Sequence, residues 1–158
     1  MHNGILYLAG QSLKELMLPI IGSELIVNLI MTLICIMFDL NNLKKANDTL
    51  GHSVGDQLIL NFAKLLRNVV PSKDFVGRYG GDEFIAVIYN STKDEVTEIL
   101  NRLDNEISEF NELGKAFKIS YAHGCAFSSD YKDCTLRTRV DKADKYLYDN
   151  KQAEKAGR

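Results

Sequence analysis

Three acidic residues stand where chemistry could be assembled. Asp39 closes an apolar run, Leu29 to Phe38, and Asp82 with Glu83 directly follows the glycine pair Gly80-Gly81. If the two segments are neighbouring strands, three carboxylates share a small volume. Divalent cations relieve the mutual repulsion of such a group, and Mg²⁺ favours oxygen ligands of this kind. Two cations held by carboxylates form the constellation of two-metal phosphoryl transfer. The glycines suit the same chemistry, because a side chain at 80 or 81 would keep a triphosphate away from the backbone amides. Taken alone, the string GGDE reads better as a plain turn with solvated charge, so its surroundings decide.

The elements that must position these acids can be read along the chain. Leu29 to Phe38 is rich in Ile, Leu and Met and reads as a buried central strand. Asn41 to Leu50 reads as a short helix stopped by Gly51. Ser53, with Asp56 three positions later, has the form of a capping box and predicts a second helix to about Val70, where Pro71 stops it. Leu58, Phe62, Leu65, Leu66 and Val69 give that helix one apolar face. Asp74 to Tyr79 and Glu83 to Tyr89 read as strands of a hairpin with a two-glycine tip, which Arg78 braces. Thr92 and Glu95 predict a capped helix whose stripe of Val96, Ile99, Leu100, Leu103, Ile107 and Phe110 runs until Gly114. Phe117 to Phe127 reads as a strand, and Val140 to Lys151 as a helix turning Ala143, Leu147 and Tyr148 inward. This order predicts an α+β fold, a central and largely antiparallel sheet flanked by helices in the palm-like, ferredoxin-related layout.

Composition bounds the function. With 158 residues the chain fits one domain, and 46% hydrophobic with 25% charged residues is ordinary for a folded protein. A net charge of −2 offers no positive field for a nucleic-acid polymer. Leu16 to Phe38 holds Glu24 as its one charge, yet Pro19, Gly22, Ser23, Glu24 and Asn28 interrupt it, leaving too short a run for a membrane span. The start lacks the cationic region of a signal peptide. Cys35, Cys125 and Cys134 share no metal-ligand spacing and read as reduced packing residues, so a cytoplasmic protein is expected.

Four strings, read together, go beyond these patterns: FDLNNLKKANDTLGHSVGD from Phe38 to Asp56, GRYGGDEF from Gly77 to Phe84, ISYAHGCA from Ile119 to Ala126, and ADKYLYDNK from Ala143 to Lys151. In order and spacing they resemble the GGDEF family of diguanylate cyclases, over roughly residues 29 to 151. The resemblance implies an enzyme that condenses two GTP into cyclic di-GMP and two pyrophosphates, with two Mg²⁺ or Mn²⁺ per site and a homodimer in which each domain holds one GTP. It implies metal ligands at Asp39, the Leu40 carbonyl, Asp82 and Glu83, the last two also catalytic. Guanine would be read by Asn47 and Asp56, whose amide and carboxylate suit its edge. Without the family, both would read as helix caps. Asn42, Leu43, Lys44, Gly80, Gly81 and Lys151 would meet phosphates, with His52 near the substrate. Lys151 reads equally well as a solvated surface lysine, and His123 has no implied catalytic role.

The chain departs from the family's pattern in three places. Family members commonly carry an inhibitory product site, an arginine and an aspartate three apart; here Pro71 stands for the arginine and Asp74 remains, so strong product inhibition through that site is not expected. Residues 1–24 lack the opening motif DxLTGLxNR, although 1–158 otherwise reads as one GGDEF domain with no sensor of its own; an upstream sensor or partner protein is left open. Lys155 holds the place of the family's terminal arginine, with Gly157 and Arg158 two positions late. The alternative reading is a catalytically weak or inactive module that binds GTP or a partner protein as a signalling regulator.

Overall fold

The structure is a computed structural model and describes residues 33–115, 117–127 and 135–156. Its elements are β1 (Leu33–Leu40), α1 (Leu43–Leu50), α2 (His52–Val69), β2 (Phe75–Gly80), β3 (Glu83–Tyr89), α3 (Lys93–Glu112), β4 (Tyr121–Phe127) and α4 (Leu136–Ala156). The strands form one antiparallel sheet in the order β2-β3-β1-β4. This is the expected α+β layout, with helices on both faces of the sheet.

β1 is buried at every residue because it lies inside the sheet and both of its faces are covered. Strand side chains alternate between faces, so Ile34, Ile36, Phe38 and Leu40 enter the core beneath α2 and α3, built on Leu58, Phe62, Leu66, Val96, Ile99 and Leu103. Leu33, Cys35 and Met37 face Leu136, Val140, Ala143 and Leu147 of α4. A run apolar on both faces therefore served as a sheet interior, and its described part, Leu33 to Phe38, is the strand expected from the sequence. No helix among the described residues is long and apolar enough to cross a membrane.

α3 begins as the sequence indicates. Glu95 N–H donates to Thr92 Oγ1 at 3.2 Å, and Thr92 N–H donates to Glu95 Oε2 at 2.7 Å. The box expected at Ser53 does not form. Gly51, at φ 92° and ψ 160°, closes α1 and opens α2 by itself: its N–H donates to Asn47 O at 2.9 Å and its carbonyl accepts from Val54 N–H at 3.1 Å. Such a positive φ is easy for glycine alone, and it leaves Ser53 inside the helix with no capping role.

Other boundaries move for local reasons. β4 starts at Tyr121 rather than Phe117, because Asn111 clasps Ile119 with two side-chain bonds, both 2.8 Å, which take its N–H and C=O out of any ladder. The hairpin turns on Gly81 and Asp82, with Gly80 in β2 and an extra residue, Tyr79, bulged between Arg78 and Gly80. α4 starts at Leu136, and Tyr148 is 61% exposed instead of inward. Ala122, Gly124 and Ala126 of β4 face α4, and the close seat of that helix depends on Gly124.

Candidate active site

Alternation places the acids. Phe38 and Phe84 are register partners and fully buried; Phe84 packs edge-on against Phe62 with centroids 5.0 Å apart. With both rings committed to the α2 side, their neighbours Asp39 and Glu83 must emerge on the α4 side, where they pair across the strands. Leu40 N–H donates to Asp82 O at 2.9 Å, so the hairpin turn is tied to the end of β1. The first-strand acid and the two hairpin acids thus share one end of the sheet. Leu40 itself is core, 1% exposed.

α4 supplies the remaining charge. Lys151 Nζ lies 2.5 Å from Asp39 Oδ2, with side chains 27% and 12% exposed, so Lys151 is not a simple solvated lysine. Asn150 Nδ2 donates to His123 O at 2.9 Å and fixes this turn of the helix against β4. Burial pushes the Glu83 carboxyl above its ordinary range, and the charges of Asp144, Asp39 and Asp82 push it further, against the pull of Lys151. Asp144 is a neighbour that sequence reading missed. Its separation from Lys151, seven residues on one helix, was the available signal, since two turns return to the same face.

Asp39 and Asp82 carboxylates and the Leu40 carbonyl offer oxygen donors of the kind hard divalent cations take. The Lys151 ammonium lies against Asp39, so this carboxylate already faces a positive charge. The donors would be two or three carboxylates plus a carbonyl; among the described residues no ready-made cage of three His, Cys, Asp or Glu side chains stands closed around a metal position.

The hairpin is open on its outer side. Arg78 Nε and Nη2 donate to Gly81 O at 2.9 and 2.6 Å, the brace expected from its position. A Cβ at Gly80 would meet only Glu83 Oε2 at 3.8 Å, and one at Gly81 would meet nothing within 4 Å. Packing within the chain therefore does not demand glycine at 80, whereas φ 30° favours it at 81.

A second set of predicted residues gathers around α1 and α2. Asn42, in the left-handed region at φ 62°, begins α1 without a side-chain cap, and its carbonyl accepts from Ala46 N–H at 2.9 Å. Leu43 is buried and Lys44 exposed. The Asn47 side chain reaches across to α2, where Gly55 makes room: a Cβ there would coincide with Asn47 Oδ1. Asp56 is the next residue and is exposed, as is His52 on the first turn. Neither Asn47 nor Asp56 serves as a helix cap. A cleft of about 360 Å³ beside α1 is lined by Asn42, Lys45, Thr49, Leu50, Leu58 and Phe117 among others, and of the predicted nucleotide residues it includes only Asn42.

Asp74 is buried, and its Oδ1 accepts from Tyr89 N–H at 3.1 Å. Arg67 donates to the carbonyls of Val70, Pro71 and Asp74, wrapping the turn that Pro71 begins. Lys155, Gly157, Arg158 and the segment 1–24 lie outside the residues whose side chains are described.

The family model for "Diguanylate cyclase, GGDEF domain" matches residues 28–157. The chain belongs to the GGDEF family. This GGDEF chain is 31% identical over 122 residues to diguanylate cyclase A of Treponema denticola, covering 77% of the chain and 33% of that protein. It is 28% identical over 116 residues to diguanylate cyclase DosC of Escherichia coli K12, covering 72% of the chain and 25% of that protein. It therefore spans a third or less of these curated relatives. Among solved structures it resembles the GGDEF domain of DgcB from Caulobacter crescentus, determined in complex with c-di-GMP, with a TM-score of 0.74, 25% identity and coverage of 89% and 82% of the two chains. The active GGEEF domain of a Vibrio cholerae diguanylate cyclase gives a TM-score of 0.69 at 28% identity, covering 77% and 78%.

Proposed function

We propose that this domain is a diguanylate cyclase, joining two GTP into cyclic di-GMP with release of two pyrophosphates. The observation that carries the reading is the register Asp39↔Glu83 with the Leu40 to Asp82 backbone bond, which brings all three acids to one end of the sheet. In each of two like steps a ribose 3′-hydroxyl loses its proton, its oxygen bonds to the α-phosphorus of the other nucleotide, and pyrophosphate leaves.

Asp39, the Leu40 carbonyl and Asp82, with Glu83 beside them, would hold Mg²⁺ or Mn²⁺, two per site. When bound, such cations lower the pKa of the attacking hydroxyl and neutralise charge on the phosphates. Glu83, whose carboxyl is pushed above its ordinary range by burial and by the charges of Asp144, Asp39 and Asp82, is suited to exchange the 3′-hydroxyl proton, and Asp82 shares the catalytic assignment. Gly80 and Gly81 leave the hairpin clear for phosphates, and the amides of Asn42 and Leu43 with the Lys44 ammonium meet them from α1. Asn47 and Asp56 orient guanine, with His52 at its rim.

One domain with one GTP supplies half of the ring, so two copies must face each other with antiparallel substrates, and a homodimer is the working form. A cytoplasmic location and control by an upstream sensor or partner follow from this reading. Pro71 supplies no guanidinium, so product inhibition through that turn should be weak.

The test is chromatography of products after incubation with GTP and Mg²⁺ at high protein concentration. Cyclic di-GMP from the parent and none from Asp82→Asn supports the enzyme. GTP binding without product from a folded parent overturns it in favour of a GTP-binding regulator.

A further inference from the structure

We propose that Lys151 is an internal counter-ion for Asp39 that a divalent cation must displace, so that cation binding is coupled to release of the lysine ammonium. The inference rests on the metal-site reading above, and its evidence is the Nζ to Oδ2 contact of 2.5 Å at a carboxylate whose side chain is 12% exposed. A carboxylate so far out of water requires a compensating partner. The need is greater here because Asp39 pairs across the strands with Glu83, and Asp82 and Asp144 add negative charge to the same neighbourhood.

An ammonium and a divalent cation cannot both occupy the same side of Oδ2 at bonding distance. The backbone of α4 is not free to withdraw the lysine: Ala143 O and Leu147 N lie against Gly124, and Asn150 is bonded to His123 O. The Lys151 side chain is 27% exposed, and a point charge on a flexible four-carbon stem is well suited to exchange partners. Lys151 therefore weakens cation binding to the empty protein. When phosphates arrive they offer the displaced ammonium a second anion, which makes nucleotide and cation mutually supportive by reciprocal linkage.

The experiment titrates Mn²⁺ into the full chain without nucleotide, reading free Mn²⁺ by electron paramagnetic resonance, for the parent, Lys151→Met, Lys151→Arg and Asp39→Asn, each shown to be folded by circular dichroism. Lys151→Met is expected to bind Mn²⁺ roughly tenfold tighter, about 1.4 kcal/mol. Lys151→Arg, which keeps the cation, should stay near the parent. In chelator Lys151→Met should melt lower than the parent, and added Mn²⁺ should raise its melting temperature by more. Lys151→Met binding no tighter than the parent, while Asp39→Asn loses binding, overturns the counter-ion role and leaves the metal site standing. Mn²⁺ binding undiminished in Asp39→Asn, or absent from every variant at millimolar concentration, overturns the metal site and the counter-ion role together.

Discussion

Gly124→Ala isolates the contact on which the seat of α4 depends. A Cβ at this position would lie 2.2 Å from Ala143 O, 2.2 Å from Leu147 N and 2.9 Å from Leu147 Cα. All three are main-chain atoms, so no side-chain rotation relieves the clash. Ordinary contact begins near 3.4 Å, and 3.4 − 2.2 requires the helix to lift by about 1.2 Å. Ala143 and Leu147, 0% and 3% exposed, would lose close packing together with Leu136 and Val140. Overpacking of this kind costs up to about 3 kcal/mol. With a urea slope of about 2 kcal/mol/M, the unfolding midpoint should fall by about 1.5 M. Gly114→Ala is the control, with φ 65° and nothing within 4 Å of its Cβ; it carries backbone strain of about 1 kcal/mol without a clash. Equilibrium urea unfolding at neutral pH measures both. If Gly124→Ala costs no more than Gly114→Ala, the helix does not sit on the strand as described and the reasoning fails.

Thr92→Ala removes the hydroxyl that accepts from Glu95 N–H at 3.2 Å; a loss of about 1 kcal/mol, roughly 3 °C in Tm, is expected by calorimetry. Glu83 has a folded-state pKa raised by burial and then by Asp144, Asp39 and Asp82, so its contribution to stability is complete below the ordinary glutamate range and is lost as pH rises through the raised value. Glu83→Gln in chelator should therefore raise Tm at pH 7.5 and leave it unchanged at pH 4, and an equal shift at both values would contradict the cause. Burial pushes the thiol of the fully buried Cys35 up to about 12; in a background carrying Cys125→Ser and Cys134→Ser it should not react with a thiol reagent at pH 8 until urea is added, and rapid labelling of the native protein would refute its burial.

Much of the fold was legible because it is encoded over short range. Thr92 and Glu95 cap α3 with groups three residues apart, and the 3.6-residue stripe of Val96, Ile99, Leu103 and Ile107 turns into the core as its period requires. The Ser53 box failed because a competing local device, the positive φ of Gly51, already served both helix ends. The start of α4 was hidden by its polar sequence, in which buried Leu136 and Val140 face the sheet only because small β4 residues admit the helix.

For the site, residue type and spacing along the chain established which residues carry charge and which segments end on them: Asp39 after an apolar run, Asp82 and Glu83 after two glycines. Alternation even decided that Asp39 and Phe38 must part company. What the tertiary structure alone decided is which strand lies beside which, that Lys151 comes to Asp39 from 112 positions away (151 − 39), and that Asp144 stands near Glu83. Electrostatic energy depends on distance in space, and a separation of that length along the chain constrains such a distance hardly at all until packing closes the fold.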